Sequence, residues 1–180
     1  GFGRINILNA VDVIENNHYM MDTISNGQSN THSIVVPGNV SQLKVMLYWT
    51  DPAASPTAQT ALINDLDFSM QFGGAGTTWQ PWVLDPTPNA AALNSNAVRG
   101  TDTLNNVEQI TLDDPSAGTY TLDVNATNIP LGVQEYFITY QIVLDEIRVD
   151  YPFGGESMIP FTSEQIRWTA PSGKGTFTIE

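Results

Sequence analysis

The stretch DLDFSMQF, residues 65–72, predicts the fold of this chain. Polar and apolar side chains alternate along it, beginning with Asp65, Leu66 and Asp67. Because successive side chains of a β-strand point to opposite faces, this alternation predicts a strand with one buried and one polar face. Three other stretches alternate in the same way: LKVMLYW at residues 43–49, GTYTLDV at 118–124 and EYFITYQIVL at 135–144. The sequence therefore predicts a mainly-β fold, an antiparallel β-sandwich or jelly-roll barrel.

One amphipathic helix precedes the strands. In GFGRINILNAVDVIENN, residues 1–17, apolar side chains recur at the i, i+3, i+4, i+7 spacing of a single helix face. They are Ile7, Ala10, Val11 and Ile14. An exposed apolar stripe favours self-association, so the sequence predicts homo-association through this N-terminal helix unless the stripe is covered.

The segment after residue 145 reads as a separate β-module. Three strand-like pieces follow one another there, at residues 146–149, 164–168 and 175–180. Three strands make about half of a sandwich, so this segment looks like the opening of a second, partial module.

Charge and composition exclude several classes of function. The 180 residues contain 19 Asp and Glu against 6 Lys and Arg, which gives a net charge of −13. Such a field repels phosphate backbones, so we expect no nucleic-acid partner. There is no apolar run of about 18 residues, and we therefore expect no transmembrane segment. The absence of cysteine excludes disulfides, zinc–thiolate sites and thiol catalysis.

Asp65 and Asp67 are the first candidate metal ligands. Side chains i and i+2 of a strand share a face roughly 7 Å apart, so the two carboxylates repel unless water or a cation screens them. Asn64 adds an amide oxygen beside the pair. Calcium takes about 6 to 8 oxygen ligands of these kinds, whereas the alternative is a solvated polar face. A second stretch, RGTDTLNNVE at residues 99–108, supplies further oxygens from Asp102, Asn105, Asn106 and Glu108.

Two tryptophans indicate another kind of site. TTWQPWVL, residues 77–84, carries Trp79 and Trp82, whose rings could form a sugar- or peptide-binding platform. The alternative is a loop with half-buried indoles.

Catalytic motifs are missing: there is no G-x-S-x-G elbow, and the two histidines, His18 and His32, read as surface side chains.

Residues 1–145 resemble the end of a subtilisin-like serine peptidase. GFGRINILNAV, at residues 1–11, is similar to the helix that closes the subtilase catalytic domain. LKVMLYWTDPAASPTAQTALINDLDFSM, at 43–70, resembles the start of the β-barrel appended to many secreted bacterial subtilases, a domain related to the P-domain of kexin- and furin-type convertases. The motifs W-[ST]-D, N-D-L-D and N-N-x-E occur in that order. Two later stretches match its later strands, LNNVEQITLDDPSAGTYTLDV and IPLGVQEYFITY.

The resemblance implies three regions and a calcium site. The regions are a closing helix of a catalytic domain at residues 1–22, a P-domain-like β-sandwich at 31–145 and the start of an immunoglobulin-like module at 146–180. The implied calcium ligands are Asp67 and Asp102. In the family pattern D-G-R-N-N-V-E the Asp precedes the Gly, whereas here Asp102 follows it.

The resemblance also implies a role. It indicates a non-catalytic C-terminal region of a secreted or cell-surface bacterial peptidase, whose partner is the catalytic domain of the same parent chain. The region would stabilise that domain and orient substrate. It would not be an enzyme, because the family's G-T-S-[MF]-[AS]-x-P serine motif is absent. The alternative is a jelly-roll module that binds polysaccharide or a cell surface through Trp79 and Trp82.

Overall fold

The structure is a computed structural model that describes residues 5–74, 76–152 and 154–170. The helices are α1 (Ile7–Glu15) and α2 (Ala90–Leu93). The strands are β1 (Tyr19–Ser25), β2 (Ser29–Val36), β3 (Val40–Trp49), β4 (Asp65–Phe72), β5 (Thr78–Trp79), β6 (Trp82–Val83), β7 (Val98–Arg99), β8 (Val107–Asp113), β9 (Gly118–Asn128), β10 (Val133–Leu144), β11 (Arg148–Tyr151) and β12 (Arg167–Thr169).

Two four-stranded antiparallel sheets pack face to face. Sheet A has the strand order β1-β10-β3-β8, and sheet B has the order β2-β9-β4-β5. Within the described ranges no strand pairs with both sheets, so the sandwich does not close into a barrel. The prediction of a mainly-β antiparallel sandwich with one N-terminal helix is confirmed.

The alternating strands bury the faces that the sequence predicted. Residues i and i+2 point inward from each strand, and the two sheets share one apolar core. Full burial of each Leu, Val or Phe side chain stabilises the fold by about 1.5–3 kcal/mol. The predicted residues that are at most 1% exposed are Leu43, Val45, Leu47 and Trp49 from β3, Leu66, Phe68 and Met70 from β4, Tyr120, Leu122 and Val124 from β9, and Tyr136 and Ile138 from β10.

A polar network closes one open edge of the sandwich, where β1 lies beside β2. Asn30 Nδ2 donates to the Tyr136 hydroxyl at 3.0 Å and to Asp22 Oδ2 at 3.3 Å. The Tyr136 hydroxyl also lies 2.7 Å from His32 Nε2. The His32 side chain is only 15% exposed, so our interpretation of it as a surface residue is wrong. We call these four residues the β1–β2 edge network.

Helix α1 lies outside the core. Asn6 caps its first turn, yet none of its residues is buried. Ile7 and Ile14, from the predicted apolar stripe, are 74% and 65% exposed. An ion pair of 3.3 Å between Asp12 and Arg148 joins the helix to the start of β11. The sandwich itself therefore leaves the apolar stripe uncovered.

The boundaries of the sandwich differ from the predicted ones. Strand β1 pairs with β10, beginning with Tyr19 opposite Thr139, so residues 19–30 belong to the sandwich as well. Beyond the sandwich, β11 and β12 form a separate two-stranded antiparallel sheet. The strand predicted at 175–180 lies outside the described residues. Among the described residues, neither α1 nor α2 has the length and hydrophobicity that a membrane-spanning helix requires.

Candidate functional site

The second open edge of the sandwich lies where β4 is next to β8. On this side β5 pairs only with Met70 and Gln71, and no other described strand pairs with the beginning of β4 there. Glu108 of β8, which is 1% exposed, reaches across from sheet A. Its Oε2 accepts a hydrogen bond of 2.8 Å from the Phe68 N–H. A buried carboxylate thus bonds a backbone donor that a neighbouring strand would otherwise satisfy.

Three further carboxylates lie close enough to Glu108 to perturb it. Burial, followed by the negative charge of Asp67, raises the pKa of Glu108 to about 9, while the Phe68 N–H acts in the opposite direction. Burial, followed by the charges of Asp67 and Asp102, raises the pKa of Asp65 to about 6. Bound protons or a bound cation relieve the repulsion of such a set. We call Asn64, Asp65, Asp67, Asp102 and Glu108 the acidic cluster.

The acidic cluster contains oxygens that no donor satisfies. Among the described residues, the buried side-chain nitrogen and oxygen atoms without a hydrogen-bond partner number four, and all are oxygens of this cluster. A buried polar atom without a partner costs about 1–3 kcal/mol, and folded proteins contain few of them. The four atoms are Asn64 Oδ1, Asp65 Oδ1, Asp67 Oδ1 and Glu108 Oε1.

These oxygens match calcium in kind. Calcium prefers carboxylate and amide oxygens, and the acidic cluster offers no nitrogen or sulfur ligand. The carboxylates are not already gathered around one point: the described part of the chain has no group of three or more His, Cys, Asp or Glu side chains placed to hold a metal ion. The cluster therefore offers oxygen donors only, and its carboxylates are not placed around a common point.

The W-T-D motif supports the N-D-L-D motif directly. Asp51 accepts hydrogen bonds of 2.8 Å from the backbone N–H groups of both Ile63 and Asn64. The Trp49 indole N–H donates to the Asn64 carbonyl oxygen at 2.9 Å. The order of the two motifs in the sequence thus corresponds to a physical contact between them.

Two of the predicted ligands have other contacts. Asn106 Nδ2 donates to the Trp49 carbonyl oxygen at 2.7 Å, which makes it part of the frame around the cluster. Asp102 is 4% exposed, and its carboxylate accepts the backbone N–H groups of Leu104 and Asn105 at 2.9 and 3.1 Å. Asn105 Nδ2 donates to its other oxygen at 2.7 Å. Asp102 therefore adds negative charge to the acidic cluster, while its own oxygens accept hydrogen bonds from the residues that follow it.

Trp79 and Trp82 occupy different environments. The Trp79 ring packs against the core, with its centroid 6.0 Å from that of Tyr120. Trp82 is 39% exposed, and the guanidinium carbon of Arg99 lies 3.8 Å above its ring centroid. One indole is thus held by the core, and the other has one face covered by a cation.

Comparison with known proteins connects the chain to serine proteases at low identity. No protein-family model matches it. It is similar to two proteins of Dictyostelium discoideum, Serine protease/ABC transporter B family protein tagA (29% identical over 115 residues) and tagB (29% over 103 residues). The matches cover 64% and 52% of this chain but only 6% and 5% of the two relatives. The chain therefore resembles a small part of proteins that are named as serine proteases.

The same comparison corrects one prediction. We expected a secreted or cell-surface protein of bacterial origin. Both relatives come from a eukaryote, which contradicts that expectation.

The pKa of Glu108 predicts how stability depends on pH when no divalent cation is present. The folded protein holds this proton more tightly than the unfolded chain, because the pKa rises from 4.5 to about 9. The resulting stabilisation is complete below the unfolded pKa and is lost as the pH rises through the folded one. In chelator we therefore expect the unfolding free energy to fall between about pH 5 and about pH 9.

Glu108→Gln is the matched variant for this measurement. It keeps an oxygen that can accept the Phe68 N–H but cannot ionise. We expect a shallower pH dependence and a melting temperature several degrees above wild type at alkaline pH. Urea unfolding across the pH range measures the pH dependence, and thermal unfolding at alkaline pH measures the melting temperatures. Identical pH profiles for the two proteins would contradict this account of the buried carboxyl.

Proposed function

We propose that this chain is a non-catalytic β-sandwich region of a serine protease, where it stabilises the catalytic domain, and that calcium bound at the acidic cluster stabilises the sandwich. The names of the relatives support the link to a protease. The four unpartnered buried oxygens are the observation that carries the calcium assignment.

Charge and donor chemistry both favour a divalent cation at the cluster. Asn64, Asp65, Asp67 and Glu108 would hold the ion through the oxygens that have no protein donor. When bound, calcium supplies positive charge that offsets the mutual repulsion of the carboxylates. Since Asp67 belongs to β4 and Glu108 to β8, the ion would link β4 of sheet B to the edge strand of sheet A.

The helix provides the surface through which the sandwich would contact a catalytic domain. Ile7 and Ile14 lie on the outside of the described part, and nothing in the sandwich buries them. A stripe of this kind favours contact with another folded unit. The chain also lacks the subtilase serine motif, so the proposed role is structural, with orientation of substrate as its extension.

Calcium binding predicts a change in thermal stability that depends on Asp67. An ion that binds only the folded state adds about 2.7 kcal/mol when its concentration is about a hundredfold above its dissociation constant. We expect calcium to raise the melting temperature of wild type relative to chelator. Asp67→Asn removes a charged oxygen and should abolish most of that rise.

Glu15→Gln is the control, because it removes an equal charge from the exposed surface of α1. It should respond to calcium as wild type does. Equal melting temperatures in calcium and in chelator for all three proteins would refute the calcium assignment.

The absence of catalysis is tested with a fluorophosphonate probe for activated serines. We expect no labelling of this chain under conditions in which an authentic serine protease is labelled to completion, because the chain contains no nucleophilic serine motif. Stoichiometric labelling would show that the chain is itself an enzyme.

The stabilising role is tested in the longer protease that contains this chain. There we expect Ile14→Ser to shorten the half-life of activity at raised temperature, because the substitution removes an apolar contact with the catalytic domain. In the isolated chain the same change should alter the unfolding free energy by less than about 0.5 kcal/mol. Val35→Ser on β2, where the side chain is 70% exposed, is the matched control. A half-life equal to that of the control would argue against this interface.

A further inference from the structure

We infer that Gln134 is a positioning residue for the proposed calcium site: it turns the Asn64 amide so that the oxygen, and not the NH2 group, is left for the ion. This inference rests on the calcium site proposed above. It concerns a residue 70 positions away in sequence from Asn64 of the N-D-L-D motif. Its basis is a series of hydrogen bonds in which each donor and acceptor is fixed by the chemistry of the groups.

The first step fixes the orientation of Gln134, which is 5% exposed. Its Nε2 donates to two backbone carbonyl oxygens, those of Thr50 at 3.1 Å and Glu135 at 2.7 Å. A carbonyl oxygen can only accept. The NH2 end of Gln134 must therefore face these two groups, and its Oε1 must point the other way.

The second step passes this orientation to Asn64, which is 1% exposed. Gln134 Oε1 can only accept, so Asn64 has to present its NH2 group to it, and the two atoms lie 2.8 Å apart. The Leu131 carbonyl oxygen, at 3.4 Å from the same Nδ2, favours the same orientation. A flipped amide would place oxygen against oxygen at both contacts.

The third step is a complete account of the polar atoms of Asn64. Its N–H donates to Asp51, its carbonyl oxygen accepts from Trp49, and its Nδ2 donates to Gln134. Its Oδ1 is the one polar atom left without a partner. A neutral oxygen held in advance loses little conformational freedom on binding, so it adds to the affinity for calcium without adding to the repulsion.

The experiment measures the calcium dissociation constant by titration calorimetry in wild type and four variants. Gln134→Met removes the acceptor, so that only the 3.4 Å contact with the Leu131 carbonyl oxygen still orients the Asn64 amide, and we expect the dissociation constant to rise about tenfold. In an Asn64→Ala background the same substitution should change it less than about twofold, because a residue that acts through Asn64 has no effect once that side chain is gone.

Gln134→Glu separates the effect on the ligand from the effect on the fold. It keeps an acceptor for Asn64 Nδ2 but loses both donors to the backbone. We expect a lower melting temperature in chelator together with calcium affinity within about threefold of wild type. It also serves as the deciding variant if Gln134→Met fails to fold, since a tenfold loss of affinity in Gln134→Glu would overturn the inference.

The outcomes separate this inference from the proposal beneath it. Wild-type protein that binds no calcium would overturn both. If wild-type protein binds calcium, either of two results would overturn the positioning role alone. One is a dissociation constant of Gln134→Met equal to that of wild type. The other is a loss of affinity on Gln134→Met that is as large in the Asn64→Ala background as in wild type. A tenfold loss of calcium affinity that occurs only when Asn64 is present supports the positioning role.

Discussion

The hydrogen bond from the Phe68 N–H to the Glu108 carboxyl group joins the two sheets at an edge where no described strand pairs with the beginning of β4. A buried backbone N–H group requires a hydrogen-bond acceptor, and here the acceptor is the Glu108 side chain, which is 1% exposed. Its carboxyl group then lies near Asp65 and Asp67, and burial together with their negative charges raises its pKa. One of the four unpartnered oxygens of the acidic cluster, Glu108 Oε1, follows from this choice of side chain.

The two open edges of the sandwich are closed by different chemistry. In the β1–β2 edge network, Asn30 supplies N–H donors to Asp22, to a backbone carbonyl and to the Tyr136 hydroxyl, so the oxygens there have partners within the protein. At the opposite edge, acceptors outnumber donors, and four oxygens remain unsatisfied. An excess of buried acceptors is relieved by protons or by a cation, because these are the positive species that reach such a site. The same sandwich therefore has one edge whose polar atoms have partners and one edge with an excess of buried acceptors, which is where we propose that calcium binds.

Helix α1 and the lengths of the relatives both support the proposed connection to a larger protein. Helix α1 contributes no buried residue to the core, and the side chains of its apolar stripe are exposed. The relatives in Dictyostelium discoideum are many times longer than the segment that resembles this chain. The proposed role of a stabilising region within a serine protease accounts for both observations. In such a region α1 would pack on the catalytic domain, and calcium at the acidic cluster would stabilise the sandwich itself.

The direction of each side chain along a strand is the part of the structure that the sequence by itself determined. The period of two placed Leu47, Phe68 and Leu122 in the core, and it placed Asp65 and Asp67 on one face, because side-chain direction in a strand depends only on position along it. The β1–β2 edge network and the proposed role of Gln134 depend on contacts between residues that are far apart in sequence. An example is the 2.8 Å hydrogen bond between residues 64 and 134. The packing of sheet A against sheet B decides those contacts, because the residues belong to or adjoin strands of different sheets, and the alternation along a single strand does not encode that packing. Only the tertiary structure could therefore decide which oxygens of the cluster already have donors, as at Asp102, and which remain without one.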